Sequence, residues 1–301
     1  QMALQGQFGE TTFTFRFESK QPLENISQKK TWTIEAQLHL ADLQGNIECE
    51  MIPATVDEHL EFNAQLQGET LNTLSRLLDT DLPEAGPYRF SFHTRIAAGN
   101  YAISELEGAI ERLGLWRKLR VDRGNASLNP HGSIEATLDG KVDNLPLSLS
   151  WKGGPGTASA AGKKGWPLLI DASASGATLK GDGAVVTIEN RKVLQVTTRI
   201  SGNRFESLGP LIGVSFPAMG KFDLRADISS DGDVHEAGNL WVQIKNHRFS
   251  GRARWEGKAP RPLLSGRLST QRLRLSDFKN SSKTASKSPR TGLLDRPINL
   301  D

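Results

Sequence analysis

The sequence predicts an all-β protein, and three observations carry that expectation. Nearly every segment alternates apolar and polar residues, turn-forming residues separate the segments, and much of the chain repeats at a fixed offset. Phe13-Thr14-Phe15-Arg16-Phe17, Leu60-Glu61-Phe62, Leu147-Ser148-Leu149-Ser150-Trp151 and Leu273-Arg274-Leu275 all alternate. Successive side chains of a strand point to opposite faces, so this pattern gives each strand one apolar and one polar face. Ala98-Gly99-Asn100, Lys152-Gly153-Gly154-Pro155 and Ser230-Asp231-Gly232-Asp233 read as the turns between strands, and Gly181-Asp182-Gly183 reads as another. Two short helices are expected, Leu71 to Leu78 and Phe205 to Ile212, each about two turns long with apolar residues three and four apart.

The repeat has an offset of 134 residues. Phe13, Phe15 and Phe17 fall on Leu147, Leu149 and Trp151, and Trp32 and Ile34 fall on Trp166 and Leu168. Leu60, Phe62, Leu66 and Gly68 meet Leu194, Val196, Ile200 and Gly202. The helix repeats as Leu74, Leu77 and Leu78 over Leu208, Leu211 and Ile212, and its exit as Leu82-Pro83 over Phe216-Pro217. Tyr88 and Phe90 meet Phe222 and Leu224, and Leu106 and Ile110 meet Leu240 and Ile244. The match holds from residue 13 to 110, with slippage around Gly45 and Gly181. Tandem units of this kind share one continuous sheet, because each leaves an edge that its neighbour pairs. The expected organisation is a first β repeat over 1–134, a second over 135–278, a flexible Ser/Lys-rich linker over 279–291, and the start of a further module over 292–301.

With 301 residues of which 37% are hydrophobic, the chain buries enough apolar surface to fold, which excludes wholesale disorder. No apolar run approaches the ~20 residues a membrane-crossing helix needs. Gln1-Met2-Ala3 does not open a signal segment, so a targeting element is expected outside this chain, as part of a longer protein. The net charge of +3 points to no partner, but its distribution is uneven. Arg248 to Arg290 holds twelve Lys/Arg against Glu256 and Asp277, a local +10 that leaves −7 elsewhere. Solvated strand faces and a basic linker account for this block, and contact with phosphates or lipid head groups is the alternative. Cys49 is the only cysteine, which excludes an internal disulfide and a cysteine-based metal site.

Catalytic chemistry is not expected. His39, His59, His93, His131, His235 and His247 form no metal-binding spacing. The stretch Gly156 to Lys164 has five residues between its glycines, ends in lysine and precedes no helix, so it reads as a loop and not a phosphate cradle. There is no G-x-S-x-G elbow, and the acidic pairs Asp57-Glu58 and Asp79 to Asp81 sit in turn-like contexts. No enzyme activity, cofactor or metal follows. Nucleic-acid binding is disfavoured too, because the basic stretch with Phe249 and Trp255 carries no recognition motif and the apolar stripes suit aliphatic chains. Taken alone, those stripes fit the core of a closed sandwich or barrel, since an alternating strand usually faces a packed interior.

Leu194 to Ser229 resembles the recurring unit of the AsmA family, a strand, an "LxxLxPLLG" helix, an "LPALGPY/F" exit and another strand. The matching positions are Leu208, Pro210, Leu211, Ile212, Gly213, Phe216-Pro217-Ala218-Met219-Gly220 and Phe222. Asn144 to Lys180 and Ser250 to Phe278 resemble the strands that flank this unit in the family. The first repeat departs from the pattern, with Ser75-Arg76 in place of Gly-Pro, Asp79 in place of Gly213, and a more polar Pro83-Glu84-Ala85-Gly86. The resemblance covers about 55–278, and 1–54 only through the repeat.

The resemblance implies a periplasmic body, anchored to the inner membrane through a segment absent from this chain. Its sheet would be elongated, mostly antiparallel and curved into an open groove, a β-taco, with one short helix per repeat. The implied function is phospholipid transport between inner and outer membrane and outer-membrane biogenesis, with acyl chains and the two membranes as partners. One alternative is a scaffold that docks outer-membrane assembly proteins through its sheet edges. Another is a closed β-domain that recognises a glycan or other ligand. The candidate groove residues are the repeat-matched stripe: Phe13, Phe15, Phe17, Phe62, Leu66, Phe90, Leu147, Leu149, Trp151, Val196, Ile200 and Leu224.

Overall fold

The computed structural model describes residues 1–9, 11–22, 30–52, 59–77, 82–155, 165–257 and 263–271. The expected linker and further module, the strand at Leu273, the Gly156–Lys164 loop and both acidic pairs lie outside the described residues.

The protein is all-β. Its strands are β1 (Met2–Phe8), β2 (Thr11–Ser19), β3 (Trp32–Leu40), β4 (Leu43–Ile52), β5 (His59–Gly68), β6 (Tyr88–Ala97), β7 (Asn100–Leu113), β8 (Trp116–Leu128) and β9 (Ile134–Val142). They continue with β10 (Leu145–Gly153), β11 (Trp166–Ala174), β12 (Ala177–Ile188), β13 (Arg191–Gly202), β14 (Phe222–Asp231), β15 (Val234–Ile244), β16 (His247–Glu256) and β17 (Leu263–Thr270). In each unit the strands form an open antiparallel sheet in which each strand pairs with the next. Among the described residues helix lies in the β5–β6 and β13–β14 connections: α1 (Asn72–Leu77) in the first, and a 3-10 turn (Phe205–Leu208) running into α2 (Gly209–Ile212) in the second. The chain forms two compact units, Gln1–Leu147 and Ser148–Asp301, which meet inside β10.

Tight turns produce the meander. Ala98-Gly99, Asp143-Asn144, Ser175-Gly176 and Glu189-Asn190 each hold two consecutive residues at positive φ, from 47° to 79°. Those are the dihedrals of a two-residue turn whose twist matches antiparallel strands. Gly181-Asp182-Gly183, expected as a turn, instead lies within β12, paired with β11 and β13. Its glycines answer crowding between strands: a Cβ on Gly183 would meet the Gln195 carbonyl oxygen at 2.0 Å, and one on Gly181 would stand 3.1 Å from Val196 Cγ1.

The repeat is copied down to its irregularities. β2, β3 and β6 begin and end 134 residues before β10, β11 and β14. The register shift between Ser91 and His93 recurs between Arg225 and Asp227. Left-handed Glu105 recurs as left-handed Asn239. β-Bulges are positional devices that bend a strand, so their repetition places the same bend at the same rung of each unit.

Candidate functional site

Strand register sorts the side chains of each unit onto two faces. In the first unit Phe15, Leu38, Gly45, Leu66 and Phe90 form one cross-strand rung, and Phe17, Ala36, Ile47, Ala64 and Phe92 the next. Phe62 lies on the same face, between Cys49 and Thr94. Alternate rungs are polar, as in Arg16, Gln37, Asn46, Gln65 and Ser91. On that polar face Lys20 bridges Glu35 and Glu48 at 2.5 and 3.2 Å, contacts that raise its pKa. The expected alternation therefore becomes a single apolar face carrying Phe13, Phe15, Phe17, Phe62, Leu66 and Phe90.

The second unit has the same division. Leu179, Ile200, Leu224, Val242 and Phe249 form one apolar rung, and Gly183, Val196, Ile228, Ala237 and Ala253 another. In β10, Leu147, Leu149 and Trp151 occupy alternate positions, Leu149 is exposed, and the Trp151 ring lies 6.2 Å from Trp166. The Trp151 indole N–H lacks a hydrogen-bond partner among the described residues. The polar face carries Lys180, Arg199, Arg225 and Trp241 on one rung, with the Arg225 guanidinium 5.1 Å from the Trp241 ring centre.

A helical connection closes one strand end of each apolar face. In the first unit Leu71 packs with Leu40, Leu43 and Tyr88, and Leu74, Leu82 and Ala85 join Phe13, Leu38, Leu66, Phe90 and Ile110 around them. In the second, Met219 packs with Ala177, Phe222 and Ile244, against Ile200, Phe205, Leu208 and Val242. Four of the expected groove residues, Phe13, Leu66, Phe90 and Ile200, thus pack around these caps. Phe15, Phe17, Phe62, Val196 and Leu224 lie on the same apolar face without joining these two clusters.

The opposite strand end of the first unit carries a rung absent from the sequence candidates: Trp32, Met51, Leu60, Ile96, Tyr101, Leu128 and Ile134. Tyr101 on this rung is 47% exposed. The alternation that marked Phe62 also marks Leu60, Ile96 and Ile134.

Ionisable groups do not converge. Among the described residues no three of His, Cys, Asp and Glu could hold a metal. His93 meets Asn63 at 3.0 Å on the polar face, and His235 meets Ser230 at 2.7 Å on a rung of the apolar face, between Leu194 and Trp255. Burial, with the Asp42 charge adding to it, pushes the Tyr88 hydroxyl up to about 12, and its oxygen has no partner among the described residues. Burial raises Asp42, but hydrogen bonds from Thr73 and Thr70 outweigh it and hold the carboxyl below its usual range. The Arg199 hydrogen bond, opposed by burial and aided by Arg225, does the same for Asp223.

No helix among the described residues is long and apolar enough to cross a membrane. No protein-family model matches the chain, and neither does any curated protein or solved structure. The likeness to the AsmA family rests on the sequence motifs.

Proposed function

We propose that the apolar faces hold lipid acyl chains, and that the chain is a periplasmic segment of an AsmA-like conduit moving phospholipid between inner and outer membranes. One observation carries this reading. In each unit most of the large apolar side chains share one face, and among the described residues no second sheet covers them. Phe15, Phe17, Phe62 and Leu224 stay only half-buried. Each methylene withdrawn from water onto such a face gains about 0.8 kcal/mol, so a chain of sixteen carbons gains on the order of 10 kcal/mol. Similar rungs bind similarly, which lets a chain shift from one to the next without a deep trap. The Arg, Lys and Glu of the alternate rungs keep the other face wetted. The proposed role is non-enzymatic and uses no cofactor. An anchor outside this chain would tether it to the inner membrane.

The test is mass spectrometry of a solvent extract from the full chain purified out of the periplasm. Phospholipid in the extract, lost from Phe62→Glu and Leu224→Glu variants with unchanged circular dichroism, is the expected result. A folded wild-type chain free of lipid would overturn the reading.

A second reading, a scaffold that docks envelope assembly proteins by strand addition, is favoured by β17. That strand is exposed along its whole length, with Leu263, Leu264 and Leu268 at 52–62%. Strand addition needs such an accessible edge.

A further inference from the structure

Each unit has a concavity on its polar face, at the strand end whose apolar side the helical connection covers, and the two occupy the same repeat positions. In the second unit it measures about 560 Å³ and is lined by Thr178, Arg199, Ser201, Lys221, Gln243 and Lys245, with Asp223 among them. In the first it measures about 340 Å³, and there Gln44, Gln67, Pro87, Ala109 and Glu111 stand 134 residues before Thr178, Ser201, Lys221, Gln243 and Lys245.

The shared frame carries opposite charge. The first concavity holds Asp42, Glu69 and Glu111 against Arg89, and the second holds Arg199, Lys221 and Lys245 against Asp223. The strands, turns and helical connection form with either set, so the fold itself does not require lysines here. Asp223 is already engaged: Arg199 grips it through Nε at 3.0 Å and Nη2 at 2.7 Å, and Arg225 reaches it at 3.2 Å. The Lys245 amide donates to the Lys221 carbonyl at 2.9 Å, which fixes the two backbones side by side. Neither ammonium group has a carboxylate partner among the described residues. Thr178, Ser201, Asp223 and Gln243 lie on one rung beside them, so hydroxyl and amide donors face the same space as the two charges.

We propose that the concavity of the second unit binds a phosphate group, and that its acidic counterpart in the first unit does not. Two ammonium groups with flanking hydroxyl and amide donors suit a tetrahedral oxyanion, since charge-assisted hydrogen bonds are the strong ones. The phosphate comes either from a phospholipid head group or from a soluble phosphate ester. This site stands on the polar face and does not depend on lipid binding by the apolar one.

The full chain is titrated with inorganic phosphate at low ionic strength and followed by amide NMR shifts. Saturable shifts at Thr178, Ser201, Lys221 and Lys245 are expected. The double variant Lys221→Gln, Lys245→Gln should weaken binding at least about tenfold with no change in circular dichroism, whereas Glu111→Gln should leave it unaltered. Flotation with phosphatidylglycerol vesicles, against phosphatidylcholine alone, separates the sources. Flotation lost in the double variant assigns a head group, and phosphate binding without flotation assigns a soluble ester. Shifts spread evenly over surface cations, or retained in the double variant, would overturn the site.

Discussion

The two units lay the same connection over the same end of their sheets but fasten it by different chemistry. In the first, Asp42 in the β3–β4 turn accepts the amides of Glu69 and Thr70 and the hydroxyls of Thr70 and Thr73, tying α1 down through one carboxylate. In the second, Gly176 stands at that position and no side chain caps either helical segment. There Phe205 packs on Phe216 and Phe222, with ring centres 4.6 and 5.6 Å apart. Pro210 opens α2 and left-handed Gly213 closes it. The apolar rungs are held constant while the polar positions diverge. Those polar positions are where the two concavities acquire opposite charge.

The largest effect expected from this comparison is at the ring stack. Phe222 is 2% exposed, and Phe222→Ala should cost about 3–5 kcal/mol in denaturant unfolding of the second unit. A loss under about 1 kcal/mol would mean that the stack does not fasten the connection.

An intermediate effect is expected at the tether. Asp42→Ala should cost about 1–2 kcal/mol, as loss of a helix cap does, and amide exchange should quicken across α1 while the second unit is unchanged. Because the folded-state pKa of Asp42 lies below its unfolded value, its stabilisation is present above the ordinary carboxylate range and is lost as pH falls through the folded pKa. The difference between wild type and Asp42→Ala should therefore vanish in acid. A difference independent of pH would point to packing as the cause.

The smallest effect is expected where the units exchange tyrosine for phenylalanine. Tyr88 and Phe222 occupy equivalent positions, each with its ring against a glycine: a Cβ would come within 2.8 Å of a ring carbon at Gly68 and 2.6 Å at Gly202. The Tyr88 hydroxyl is buried without a partner among the described residues, so Tyr88→Phe should be neutral or stabilising by up to about 1 kcal/mol. Destabilisation would reveal a partner for that hydroxyl.

Alternation and turn chemistry made the strands legible, and the fixed offset made the repeat legible as far as residue 110. The match stops there for a geometric reason. The β7–β8 hairpin closes at Leu113 and Trp116, beyond the Ile110–Leu119 pair, whereas β15–β16 closes at Ile244 and His247. Ile110 answers Ile244 at 134, but past the turn Leu119 answers His247 at 128, so a fixed offset loses the last strand. Gly181-Asp182-Gly183 misled because two glycines resemble a turn, and only the neighbouring strand reveals the crowding that selects them. Alternation also placed Phe13, Leu66 and Phe90 in one stripe with Phe62 without separating residues under the cap from those beyond it. The charged concavity was missed because its residues are scattered from Thr178 to Lys245 and meet only through strand register. The signal was there, in the exchange of Glu69, Pro87 and Glu111 for Asn203, Lys221 and Lys245 across the repeat.

The central claim is that one face of the sheet, and not the other, holds acyl chains. Phe62 and Asn63 are adjacent in β5 and project to opposite faces, so a photoreactive benzophenone side chain placed at each in turn tests it most directly. Irradiation in the periplasm should give phospholipid adducts at Phe62 and none at Asn63. Adducts of equal yield at both positions, or none at Phe62 in a folded chain, would contradict it.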